Sequence, residues 1–201
     1  MIPTRSRLPV YIIPDGSKGD MGIIRSMFSD PFFNVTFLPH DVASGEVTAG
    51  KDAAEKQLVL RALNDGRSNY PNSPVFIVKD TSISSSSSGD IAQVIKTAIE
   101  NSQSNPSNEF HAFYTCVWLD RCELYTGKKQ ISDNGAFTAF TDSPYGLQAV
   151  LFSPSGRDII LGHEYMDNGK LFDINSVSGL GEAINRETFL HNLRVACVYP
   201  N

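Results

Sequence analysis

An ammonium, a carboxylate and two hydroxyls follow directly on a short apolar run: Lys79-Asp80-Thr81-Ser82 comes straight after Val75-Phe76-Ile77-Val78. The run is mostly β-branched and is preceded by Pro71, Asn72, Ser73 and Pro74, which predicts a fully buried strand. A carboxylate at the C-terminal end of such a strand faces the crevice where open α/β sheets hold their ligands. There Asp80 can ligate a hard divalent cation through oxygen, and the cation can in turn hold a diphosphate. Asp is equally a favoured N-cap residue, so Asp80 can also serve only to start the next helix.

Further candidates follow from the same logic. Asp120 comes after the apolar segment Phe110–Trp118 and is expected on the same sheet edge as Asp80. Two carboxylates at neighbouring strand ends divide labour well, one holding metal and the other handling a proton or an acceptor hydroxyl. A structural pair with Arg121 accounts for Asp120 equally well. Gln148 is a lone amide at the start of the apolar Leu147–Phe152, where a buried polar group needs either a backbone neighbour or a ligand hydroxyl. His163, after Leu161-Gly162 and before Glu164, can complete the coordination of a divalent ion or lie on an ordinary loop. Lys18, in Asp15-Gly16-Ser17-Lys18-Gly19-Asp20, can meet a base or ribose at the end of the first strand, or sit in a simple turn.

Other chemistries find no pattern. The Gly-rich stretch at 15–20 fits neither G-x-x-x-x-G-K-[ST] nor G-x-G-x-x-G. There is no G-x-S-x-G elbow and no H-E-x-x-H among His40, His111, His163 and His191. Cys116, Cys122 and Cys197 form neither a metal-ligand pair nor a disulfide framework, and read as reduced thiols. A formal net charge of -5 argues against a general nucleic-acid binder, so an anionic ligand must be held locally. The N-terminus lacks a signal-peptide pattern and no apolar run approaches a bilayer span, which predicts a chain without membrane insertion, in the cytoplasm.

These residues need elements to carry them. With 201 residues and 41% hydrophobic content the chain suits one domain with a sizeable core, either complete or cut from a longer protein. Strands are expected at Pro9–Ile13, Asn34–Leu38, Val75–Val78, Phe110–Trp118, Leu147–Phe152 and Val195–Tyr199. Helices are expected at Met21–Phe28, Gly50–Leu63 (ended by Asn64-Asp65-Gly66), around Ile91–Ile99, at Asp158–Leu161 and at Glu187–Leu193. The serine run 84–88 fits a loop covering a ligand. The order predicts an α/β fold with a mixed, largely parallel sheet flanked by helices.

Several blocks together resemble a known family. They are Lys79-Asp80-Thr81-Ser82, the stretch from Phe113-Tyr114 through Trp118-Leu119-Asp120-Arg121-Cys122 to Leu124-Tyr125, then Gly146-Leu147-Gln148-Ala149 with Leu151, and Gly156-Arg157-Asp158 with Leu161-Gly162. The chain is similar over nearly its whole length to a small glycosyltransferase family of large DNA viruses of algae (chloroviruses). That family is distantly similar to the family 25 glycosyltransferases, and it includes the N-terminal domain of a protein that helps glycosylate the major capsid protein. The resemblance implies a GT-A fold, a UDP-sugar donor, Mn²⁺ or Mg²⁺, and a glycan or glycoprotein acceptor. It places Asp80 in the acidic D-x-D element, with Lys79 and Ser82 where relatives often carry carboxylates. Ile12, Ile13 and Asp15 match the region around the nucleobase. On this reading Asp120 is catalytic, Lys79, Asp80, Ser82 and Gln148 meet the donor, and Asp80 with His163 holds the metal. A nucleotidyltransferase acting on a sugar phosphate and a non-catalytic carbohydrate-binding module are the alternatives.

Overall fold

The computed structural model describes residues 7–14, 20–39, 50–82, 91–104, 106–115, 125–130, 137–141 and 147–199. Strand β1, Leu8–Ile13, is buried at every position, the pattern of a strand covered on both faces. Helix α1, Met21–Met27, starts at Asp20, whose carboxylate accepts from the backbone N–H of Gly22 at 2.8 Å and of Ile23 at 3.2 Å. These are two of the donors that a helix start leaves without intrahelical partners. Strand β2 (Phe33–Phe37), helix α2 (Lys51–Asn69) and strand β3 (Val75–Lys79) complete the first half. Helix α3 (Ile91–Ser104) and strand β4 (Ala112–Tyr114) follow, then β5 (Tyr125–Gln130) and β6 (Phe137–Thr141). The chain continues with β7 (Ala149–Phe152), α4 (Pro154–Ile160), α5 (Leu180–Phe189) and β8 (Val195–Tyr199).

Among the described residues the strands form one eight-stranded sheet in the order β2-β1-β3-β7-β4-β8-β6-β5. β1 pairs in parallel with both β2 and β3, and β4 pairs in parallel with β8. β7 lies antiparallel between β3 and β4, and β6 lies antiparallel to β8 and β5. Only β7 and β6 run against the rest, so the fold is α/β with a mixed sheet whose strands mostly share one direction. Among the described residues no helix is long and apolar enough to cross a membrane.

Side chains alternate between the two sheet faces, and each face has its own core. Tyr11, Ile13, Val75, Ile77, Val150 and Phe152 pack with Leu58, Val59, Ala62 and Leu63 of α2, Ile159 and Ile160 of α4, and Leu180, Ala183 and Ile184 of α5. On the other face Val10, Ile12, Phe76, Val78 and Leu151 pack with Ile24 of α1 and with Ile95 and Ala98 of α3. Each Val, Leu, Ile or Phe side chain among these contributes about 1.5–3 kcal/mol by leaving water.

Strands β5 and β6 match no expected element, and three further elements depart from the sequence expectation. Helix α2 runs on through Asn64-Asp65-Gly66, because these residues serve packing rather than termination. The Asp65 carboxylate accepts from the Tyr11 hydroxyl and from Asn69 Nδ2. A Cβ on Gly66 would lie 2.4 Å from Val75 Cγ2, so the glycine lets the helix approach β3. The last helix is displaced toward the N-terminus and starts after Gly179, while Leu190 and the left-handed His191 (φ 57°) end it. Pro154 and Gly156 belong to α4 itself, with Pro154 in the first turn, where a missing N–H costs nothing.

Candidate functional site

Chain direction in the first three strands decides where a crevice opens. From β1 the chain passes through α1 to β2 on one side of the sheet. From β3 it departs toward β4 on the other side. Neighbouring parallel strands whose connections leave in opposite directions open a crevice at their carboxyl ends, where α/β proteins bind ligands. Ile13, the last residue of β1, pairs with Lys79, the last of β3, so both strands end at this rim.

Three of the expected residues meet there. Asp80 is 7% exposed and opens a 3-10 turn, Asp80–Ser82, directly after β3. The Lys79 N–H donates to the Gln148 carbonyl at 2.8 Å. Gln148 precedes β7, and because β7 runs antiparallel, the start of that strand lies beside the end of β3. The adjoining β4 ends at the same rim, where the Thr115 N–H and Oγ1 both donate to the Ala149 carbonyl, at 3.1 and 3.3 Å. Asp120 follows this strand end and lies outside the described residues, as do Asp15, Lys18 and the serine run 84–88. Ser82 ends the 3-10 turn.

Other expected residues take different places. Ile12 and Ile13 are 3% and 1% exposed and belong to the cores on opposite faces. Successive strand residues point to opposite sides, and both sides are covered here, so these side chains support the rim from below and do not line the crevice. His163 is at the other end of the molecule. Its N–H donates to the Asp158 carbonyl, and Asp158 meets Arg67 near the end of α2, the end that leads into the start of β3. It is exposed there and does not join Asp80 in a metal shell. The antiparallel β7 carries the following helix to the edge opposite Asp80.

Among the described residues no group of three or more His, Cys, Asp or Glu could hold a metal ion. What the rim offers a divalent cation is the buried Asp80 carboxylate. A single carboxylate fits the kind of Mg²⁺ or Mn²⁺ site that is completed by substrate phosphates and water.

Two further residues of this rim are not among the site residues expected from the sequence. Glu55 of α2 forms an ion pair with Lys79, Oε2 to Nζ at 2.5 Å, with side chains 18% and 8% exposed. Tyr114, the last residue of β4, is buried, and among the described residues its hydroxyl has no hydrogen-bond partner. Burial first and the Glu55 charge second push the Tyr114 hydroxyl well above the usual phenol range. The signal for Glu55 was its spacing: it precedes Leu58 and Val59 by three and four residues, which places a charge on the apolar stripe of the helix. Comparison with known proteins finds no family model that matches the chain and no curated protein of similar sequence.

Proposed function

We propose that this protein is a glycosyltransferase of GT-A type that moves a hexosyl unit from a UDP-sugar to a hydroxyl of a glycan or glycoprotein. The observation that carries this reading is the placement of a buried carboxylate, Asp80, at the crevice between β1 and β3, with Gln148 brought alongside by the antiparallel β7. The sequence blocks that resemble viral glycosyltransferases contribute both residues, and the same resemblance makes capsid-protein glycosylation the setting.

As the bond from sugar to diphosphate breaks, negative charge grows on the leaving nucleotide, and groups already oriented at that position lower the barrier. A divalent cation held by Asp80, Mn²⁺ or Mg²⁺, would supply charge neutralisation there. Gln148 would hold a donor-sugar hydroxyl through its amide. Asp120, on the segment following β4, orients the acceptor hydroxyl and takes its proton.

The test is donor turnover with UDP-glucose and related UDP-sugars in the presence of Mn²⁺. Asp80→Asn keeps the shape of the side chain and removes its charge, so it is expected to lose transfer by a factor of about 10² or more while melting normally. Wild-type turnover that survives this substitution at saturating Mn²⁺ would refute the assignment.

A further inference from the structure

The Glu55–Lys79 pair and the Tyr114 hydroxyl share one face of the sheet. Tyr114 belongs to the core built under α2, and Val75 and Ile77, on the same side of β3 as Lys79, belong to it too. The pair is nearly dry, and a buried ion pair is weak as a source of stability compared with apolar residues of similar size. A buried hydroxyl without a partner is a further cost. Among the described residues the protein therefore keeps two unfavourable polar features on one face of the sheet, near enough for the Glu55 charge to act on the Tyr114 hydroxyl, at the edge where the crevice opens.

We propose that Glu55 is a positioning residue, which stores the Lys79 ammonium beneath the rim until an anionic diphosphate arrives, and that Tyr114 then takes the place of the ammonium at the Glu55 carboxylate. The inference rests on the donor reading above, since it takes the nucleotide diphosphate as the anion. Lys79 can make this exchange because its backbone is held by Gln148 while its side chain has a single ion-pair partner among the described residues. Without a second donor, turning the ammonium toward a ligand would leave a buried carboxylate uncompensated, which is strongly unfavourable. Tyr114 keeps its proton, as burial and the Glu55 charge both require, so it can donate to that carboxylate. No covalent bond changes; one hydrogen-bond donor replaces another.

The experiment is calorimetric titration of UDP and of inorganic pyrophosphate, with Mg²⁺ present, into wild type, Tyr114→Phe and Glu55→Gln, at low and high salt, alongside ligand-free melting. Tyr114→Phe is expected to melt no lower than wild type, because it removes an unpartnered hydroxyl, yet to bind both ligands about fivefold more weakly. Glu55→Gln frees the ammonium and is expected to bind them about fivefold more tightly, with a steeper loss of affinity as salt rises. A purely structural role would shift melting and leave both affinities alone. If both variants bind as wild type does, the exchange is overturned and the glycosyltransferase reading stands. If wild type binds neither ligand at millimolar concentration, that reading falls and the exchange falls with it. Should Glu55→Gln melt far below wild type, the Tyr114→Phe affinity decides alone.

Discussion

Lys79 and Arg157 are buried cations at opposite edges of the same sheet, and the molecule holds them differently. Arg157, 1% exposed, donates from Nε to Asp158 Oδ1 at 2.9 Å and from Nη2 to the Pro71 carbonyl at 2.8 Å. Its Nη1 reaches the carbonyls of Tyr70 and Ser73 at 3.2 and 3.4 Å. The guanidinium fork thus ties the turn before β3 to α4 and leaves the cation no other conformation. Among the described residues Lys79 is held through one carboxylate, and on the same face of the sheet the Tyr114 hydroxyl has no partner. A cation surrounded by acceptors is a structural brace, whereas a cation with one exchangeable partner beside a crevice is suited to meet a ligand.

The sharpest way to break this contrast is Arg157→Met. It removes the guanidinium donors that the Tyr70, Pro71 and Ser73 carbonyls and the Asp158 carboxylate share, and its expected cost is about 3–5 kcal/mol, read as a large drop in melting temperature. If Arg157→Met melted like wild type, the brace would be an illusion and the two cations equivalent. Gly156→Ala tests the same edge by geometry. A Cβ there would lie 1.8 Å from the His111 carbonyl oxygen, a backbone atom, so α4 must move off the start of β4. The expected cost is about 2–3 kcal/mol, measured by denaturant unfolding.

The smallest effect is a pH dependence at the same edge. His111 is buried; its Nδ1 accepts the Arg194 N–H at 3.0 Å, and its Nε2 faces Arg194 Nη2 at 3.3 Å and Asp167 Oδ1 at 3.9 Å. Burial first and the Arg194 charge second hold its pKa below the usual value, outweighing Asp167 and Glu109. The unfolded chain therefore takes up the proton first on acidification. The stability associated with neutral His111 is present above about pH 6.5 and is lost as pH falls toward the lower folded-state value. Melting temperature should decline over that window in wild type and decline less in His111→Asn, which keeps an acceptor for the Arg194 N–H. Equal declines would remove His111 as the cause.

The resemblance to viral glycosyltransferases drew on blocks from both edges, and the structure separates them. Lys79-Asp80 and Gln148 reach the crevice, whereas Gly156-Arg157-Asp158 packs α4 at the far side. Sequence alone could not sort them, since a glycine before a charged pair looks the same in a phosphate loop and in a tight helix–strand contact. His163 shows the same difficulty. Its neighbour Glu164 suggested metal chemistry, but one antiparallel strand sent it to the wrong end.

Local pattern determined the buried strands, α1 with its Asp20 cap, and the position of Asp80 just beyond β3, because burial periodicity and capping are written in neighbouring residues. Helix α2 outran its apparent stop, since Gly66 and Asp65 answer to Val75 and Tyr11, residues far away in the chain. Only the tertiary structure decided that Glu55, Lys79, Tyr114 and Gln148 belong to one rim. Such proximity follows from strand order and direction, which are set by the packing of the whole sheet and by no single stretch of sequence.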